Sequence, residues 1–191
     1  MIIVFGGAFN PPTVAHKAIY HHVMKHLPCK EFIFLPVSNL YTKRSLASNQ
    51  HRLAMLQLLT KELPNVKVST MEFDDSDYQG TYQSLIRIQE SYPNDEVLFV
   101  IGADNLAKLH KWINADNLLS DFRFIIINRH QTDIQKAIDQ NPVLSAHKTR
   151  FIILPDFDLK ASSTSFRDSF DPSLVTDSVF NYINIHHLYR G

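Results

Sequence analysis

An α/β open parallel sheet of five to six strands, with helices on both faces, is the fold class that this sequence predicts. Three observations predict it. Short β-rich apolar runs recur along the 191 residues. Most are apolar at successive positions, as strands covered on both faces are. The segments between them carry helical spacing, and strand alternating with helix argues for parallel strands joined by crossovers.

The first run is Ile2 to Phe5, and after it Pro11-Pro12 keeps the chain extended until a helix begins. Ala15, Ile19, Val23 and Leu27 then step by four and predict that helix, with Thr13 as its N-cap. Phe32 to Leu35 is the second expected strand, and Leu53, Leu56 and Leu59, stepping by three, predict the apolar face of the second helix. Val66 to Val68, Val97 to Ile101, Phe124 to Ile127 and Phe151 to Leu154 supply the other strands. Ser162, Ser163 and Thr164 are expected to open a further helix near the end.

With 45% hydrophobic and 20% charged residues, a chain of 191 residues buries a real core but is short for two full domains, so a single domain over 1–191 is expected. Lys+Arg and Asp+Glu both number 19. There is therefore no overall bias toward nucleic acid or an anionic membrane, and an anionic ligand must be held by a local cluster of cations and backbone donors. Cys29 is the lone cysteine and cannot form an intrachain disulfide. Ile2 to Phe5 is too short for a signal peptide and lacks its charged flank and cleavage site, and no apolar run approaches the roughly 20 residues that cross a bilayer. A cytoplasmic protein is expected.

In a sheet of this kind ligands bind beyond the carboxyl ends of the strands. Gly6 and Gly7 follow the first strand and remove side chains where the backbone would approach a phosphate. Counted from Thr13, His16 falls at the third helical position, so both side chains share a first turn whose unpaired N–H groups and dipole favour an anion. A histidine there donates to phosphate oxygens and stabilises charge that develops on attack at an α-phosphorus. Taken alone, the same residues also read as an ordinary strand-to-helix turn with a solvated histidine.

The stretch Gly6-Gly7-Ala8-Phe9-Asn10-Pro11-Pro12-Thr13-Val14-Ala15-His16 resembles the (H/T)-x-G-H signature of the nucleotidyltransferase superfamily. Its Gly-x-Phe-Asn-Pro-x-Thr portion is similar to the nicotinamide/nicotinate mononucleotide adenylyltransferases. Ser162-Ser163-Thr164-Ser165-Phe166-Arg167 is similar to that family's I-S-S-T-x-x-R. Between them, Leu35 to Arg44 with His51-Arg52-Leu53-Ala54-Met55 is similar to S-P-V-x-D-x-Y-x-K-K and H-R-x-x-M, and Ile101 to Asn105 with Trp112 is similar to G-A-D…W. Tyr182-Ile183 through Leu188-Tyr189 matches the usual ending. Three positions depart: Ala15 stands for a glycine, Ala161 for an isoleucine and Asn39 for an aspartate. A methyl group at 15 is expected to narrow the space between the helix start and a nucleotide.

The resemblance implies a Rossmann-like sheet of nucleotidyltransferase type and transfer of AMP from ATP to nicotinate or nicotinamide mononucleotide, with pyrophosphate released in NAD biosynthesis. The catalytic candidates are His16 and Arg167, with Thr13 orienting. Gly6, Gly7, Ala8, Phe9, Asn10, His16, Asp104, Ser162, Ser163, Thr164 and Arg167 are the candidate ATP ligands. Ser38, Tyr41, Lys43, Thr81, Ser84, Trp112 and Arg129 are the candidates for the mononucleotide, with Trp112 stacking on the pyridine. Several have plainer readings: Asp104 as an N-cap, Ser162 to Thr164 as a cap before a surface arginine, Trp112 as core, Lys43 and Arg129 as solvated basic residues.

Mg²⁺ is expected with ATP, held mainly by the phosphates, so no protein metal ligands are assigned. His21, His22 and His26, Asp74, Asp75 and Asp77, and His186-His187 read as solvated surface. The implied partners are small molecules, not nucleic acid or membrane, and a homo-oligomer stays open. The competing readings are another member of the superfamily, such as a phosphopantetheine adenylyltransferase or a cytidylyltransferase, and a catalytically silent nucleotide-binding module.

Overall fold

The computed structural model describes residues 1–41, 46–77, 79–128, 133–155 and 161–190. The strands are β1 (Ile2–Gly7), β2 (Glu31–Pro36), β3 (Val66–Val68), β4 (Val97–Gly102), β5 (Arg123–Ile127) and β6 (Phe151–Ile153). All pair in parallel, in the order β3-β2-β1-β4-β5-β6. The chain runs outward from β1 to β3, returns to the centre at β4 and runs outward again to β6. The order therefore reverses between β1 and β4, and the crevice beyond their carboxyl ends is where such sheets take ligands.

The helices among the described residues are α1 (Val14–His26), α2 (Asn49–Thr60), α3 (Thr81–Ser91), α4 (Ala103–Leu106), α5 (Ala115–Asp121), α6 (Ile134–Asp139), α7 (Pro142–Ala146), α8 (Ser163–Ser169) and α9 (Asp177–Ile185). Thr13 caps α1, and Lys25 and His26 in its last turn suit the negative end of the helix dipole. Because side chains alternate across a strand, the sheet feeds two cores. Ile2, Val4, Ile33, Leu35, Phe99, Ile101, Phe124 and Ile126 pack with Leu85 and Ile88 of α3 and Leu118 and Leu119 of α5. Ile3, Phe5, Phe32, Phe34, Leu98, Val100 and Ile125 face the other way, onto Ile19, Tyr20 and Val23 of α1 and Leu56 of α2. Burial on both faces is why these strands read as unbroken apolar runs.

A third cluster ties α2 to the end of the chain: Met55 and Leu59 pack with Phe166 of α8 and with Val179 and Ile183 of α9. The face that α2 buries is Arg52, Met55, Leu56 and Leu59, while Leu53 is only half-buried. Leu56 and Leu59 of the expected 53/56/59 stripe are therefore buried as read, and Arg52 takes the interior place expected for Leu53. Among the described residues no helix is long and apolar enough to cross a membrane.

Candidate active site

The chain leaves β1 at Gly7 and reaches the α1 cap at Thr13 through a loop in which Phe9, Asn10 and Thr13 are buried. The Asn10–Pro11 peptide is cis, and Phe9 has a φ of 46°. That left-handed conformation costs a residue with a Cβ about 1–2 kcal/mol. Edge contacts of the Phe9 ring with Phe5 and Phe34 hold it there. Gly6 has a second reason to be glycine besides the one read from sequence: a Cβ at this position would stand 2.8 Å from the ring of Phe99 on the neighbouring strand β4.

Thr13 and His16 stand as the spacing implies, at the N-cap and third position of α1. The Thr13 backbone N–H donates to His16 Nδ1 at 2.8 Å, and Thr13 Oγ1 lies 2.9 Å from the same nitrogen. A nitrogen that accepts from an amide carries no hydrogen, so the ring proton is on Nε2. The imidazole is also fixed between aromatic rings, with centroids 5.0 Å from Phe9 and 5.9 Å from Phe5. Ala15 is 1% exposed. Its methyl group is covered by protein, which corrects the expectation that it would narrow space for a nucleotide.

The second distant segment arrives at the same loop. Ser162 caps α8 by accepting from the Ser165 N–H at 3.0 Å. Ser163 Oγ donates to the Pro11 carbonyl at 2.8 Å. Arg167 Nη1 donates to the Asn10 carbonyl at 2.5 Å, and its Nη2 to Thr164 Oγ1 at 3.2 Å. The starts of α1 and α8 are therefore joined at residues 10–13, which brings Thr13, His16, Ser163, Thr164 and Arg167 to one place.

Arg52 ties together the exits of β1 and β2. It is 0% exposed. Nε donates to the Ala47 carbonyl, Nη1 to that of Ala8 at 2.8 Å, and Nη2 to that of Val37 at 2.6 Å. Nη2 also faces the side-chain oxygens of Asn39 and Asn49, each at 2.7 Å. These acceptors are uncharged, and burial depresses the guanidinium to about 10, with Tyr189 and Glu72 opposing. Ser38, beside this hub, is buried and accepts from the Leu40 N–H.

Glu72 closes the same side. It is 4% exposed, accepts from Ser84 Oγ at 2.6 Å through Oε1, and leaves Oε2 without a hydrogen-bond partner. Burial pushes its carboxyl above the ordinary range and Asp75 adds to this, while Ser84, Arg87 and the Ser38 backbone pull it down. Ser84 is thus buried, with its hydroxyl engaged by Glu72. Thr81 opens α3 after Gly80, whose φ is +88° and where a Cβ would stand 2.9 Å from Ile113. That contact sets the start of α3 against the Trp112–Ile113 turn. Trp112 is half-buried and meets Phe99 edge-on at 6.3 Å. Asp104 is exposed in the first turn of α4 at the mouth of β4, where Gly102, not Asp104, is the cap.

Lys43 and Arg129 lie outside the described residues, and for Tyr41 only the backbone is described. Sequence reasoning missed Arg52, Glu72 and Tyr189 as members of this polar framework. Arg52 and Tyr189 stood inside recognised stretches without a role. Glu72 sits beside Asp74, Asp75 and Asp77, and no signal in the sequence sets it apart from them. Of those aspartates, Asp75 pairs with Arg87 at 2.8 Å. His21, His26, His186 and His187 are exposed; His22 is half-buried, with Nε2 3.0 Å from the Pro155 carbonyl.

Comparison with known proteins places this arrangement in context. The model of the cytidylyltransferase-like family matches residues 4–169. A probable nicotinate-nucleotide adenylyltransferase of Acholeplasma laidlawii is 34% identical over 131 residues, 68% of this chain and 68% of that protein. One from Staphylococcus epidermidis, also described as probable, is 30% identical over 193 residues, 98% of this chain and 96% of that protein. In fold, the chain is similar to the nicotinic acid mononucleotide adenylyltransferase of Plasmodium falciparum complexed with APC, at a TM-score of 0.80 and 20% identity over 98% of this chain and 96% of that one. The same protein complexed with NaAD superposes over the same shares at 0.78 and 20% identity.

Proposed function

The chain belongs to the cytidylyltransferase-like family, and from that premise we propose that it transfers the adenylyl group of ATP to nicotinate mononucleotide, releasing pyrophosphate. The relatives' names favour nicotinate as the acceptor base. The observation that carries the reading is the junction of α1 and α8, where Ser163 bonds Pro11 and Arg167 bonds Asn10. It gathers a histidine donor, a guanidinium and two helix starts on one loop at the topological switch point of the sheet.

In the reaction an acceptor phosphate oxygen attacks the α-phosphorus of ATP. The new P–O bond forms as the bond to pyrophosphate breaks. Both reactants are anionic, so positioning and electrostatics are the main tasks of the protein. His16, its proton set on Nε2, donates to the α-phosphate, and Arg167 neutralises charge on the same group. The first turn of α8 offers the hydroxyls and backbone N–H groups of residues 162–164 to the β- and γ-phosphates. Among the described residues no three His, Cys, Asp or Glu side chains gather as a metal cage. Mg²⁺ is read as entering with ATP, where it would neutralise phosphate charge. Ser38, Lys43 and Arg129 serve the mononucleotide phosphate, and Thr81 and Trp112, set against each other through Gly80 and Ile113, frame the pyridine.

The test is pyrophosphate release from MgATP with nicotinate mononucleotide, nicotinamide mononucleotide or pantetheine phosphate as acceptor. Turnover is expected to be fastest with nicotinate mononucleotide. Release with pantetheine phosphate alone would assign the chain to a different branch of the family.

A further inference from the structure

The last residues of the chain turn back on themselves to reach the loop between β1 and α1. His187 and Tyr189 both have left-handed backbones, with φ of 50° and 61°. The Leu188 N–H donates to the Ile183 carbonyl at 3.0 Å and closes the turn. Non-glycine residues enter this region at a cost, and such strain persists only where surrounding contacts hold it, often near functional sites. Here the turn delivers the Tyr189 hydroxyl to Asn10 Oδ1 at 2.7 Å, while the ring packs edge-on against Phe166 of α8.

Asn10 is the common anchor. Its side-chain oxygen accepts from Tyr189 and from the Ala47 N–H at 3.0 Å, and its carbonyl accepts from Arg167. The approach to α2, α8 and the end of the chain are thus joined at one buried residue of the loop proposed to receive ATP. We propose that Tyr189 is a positioning residue for adenylyl transfer: its hydroxyl fixes Asn10 and, through Asn10, the Arg167 guanidinium. Burial raises the Tyr189 phenol well above its ordinary value, with Arg167 and Arg52 opposing, so the group stays a neutral donor between two cations.

This inference rests on the assignment of the 10–13 loop to ATP, and its test separates the two. Tyr189→Phe keeps the ring and removes the hydroxyl. The variant is expected to melt within about 4 °C of wild type and to lose about fivefold to tenfold in kcat or ATP affinity, with the KM for the acceptor unchanged. In an Asn10→Ala background the same substitution is expected to add less than about twofold, because its route to Arg167 is already cut. Wild-type kinetics in Tyr189→Phe, an equal loss in both backgrounds, or a loss confined to the acceptor KM would overturn the proposal. If wild type forms no dinucleotide, the functional reading fails, and calorimetric titration with MgATP decides for Tyr189. Affinity weakened by Tyr189→Phe supports its role, affinity unchanged overturns it, and wild type that binds no ATP overturns both.

Discussion

Arg167 donates to the carbonyl oxygen of Asn10 across 2.5 Å, joining residues 157 positions apart. Its other arm reaches Thr164 of its own helix. A planar guanidinium spans two such acceptors at once, whereas an ammonium is a single point of charge. Arg167→Lys is therefore expected to keep the fold and lower kcat by about 10–100-fold, in the range of one charge-assisted bond. Steady-state kinetics beside a melting curve checks this, and a kcat equal to that of wild type would remove Arg167 from the reaction.

His16 is held by Thr13, Phe5 and Phe9, with its proton assigned to Nε2. His16→Ala is expected to fold normally and to lose about 10²-fold or more in turnover, as when a transition-state donor is removed. Circular dichroism and the rate of pyrophosphate release are the measurements. Undiminished turnover in a folded variant would show that the imidazole has no part in the chemistry.

Arg52 is a buried cation whose side-chain partners at residues 39 and 49 are amides. Asn39→Asp supplies a carboxylate at 2.7 Å range and is expected to stabilise the fold by about 1 kcal/mol, a rise of roughly 2–4 °C in Tm for a chain of this size. Removing the arginine has the opposite sign. Arg52→Leu strands the Ala8 and Val37 carbonyls and is expected to cost about 3 kcal/mol or more. Thermal melts of both variants test the pair, and a neutral Asn39→Asp would mean that the carbonyl dipoles already compensate the charge.

Glu72 gives the pH dependence. Burial raises its carboxyl above the ordinary range in the folded state, so the native protein holds a proton that the unfolded chain releases. The stability this group contributes is present below the ordinary glutamate range and is lost as pH rises through the folded value. Glu72→Gln carries no such proton. Its Tm relative to wild type is expected to climb as pH rises above the ordinary glutamate range; two melting profiles that stay parallel from acid to neutral pH would contradict the assignment.

What was legible in the sequence was whatever leaves a local mark. Strands covered on both faces, such as Val97 to Ile101, must be apolar at successive positions, and all six appear as read with their ends adjusted by a few residues. Thr13 and Ser162 cap the helices that their spacing implies. Other features depend on several segments meeting at a point. Arg52 looks like any polar helix residue until the carbonyls of Ala8, Ala47 and Val37 arrive around it. That arrival is why the buried face of α2 includes position 52 and leaves Leu53 half-exposed. Glu72, on a turn, is distinguished from its acidic neighbours by its burial and by Ser84, which arrives from α3. Tyr189 requires a reversal of the chain that no hydrophobic period encodes.

The ring of Phe99 fills the space that a side chain at Gly6 would need, and the edge of Trp112 rests on the same ring. One aromatic plate under the sheet's mouth thus serves as common ground for two banks of the crevice that differ in chemistry. Trimming it to leucine would open room for alanine at position 6 while withdrawing support from the indole. Neither bank can be remodelled alone, and an engineer seeking a broader substrate range would have to redesign positions 6, 99 and 112 together.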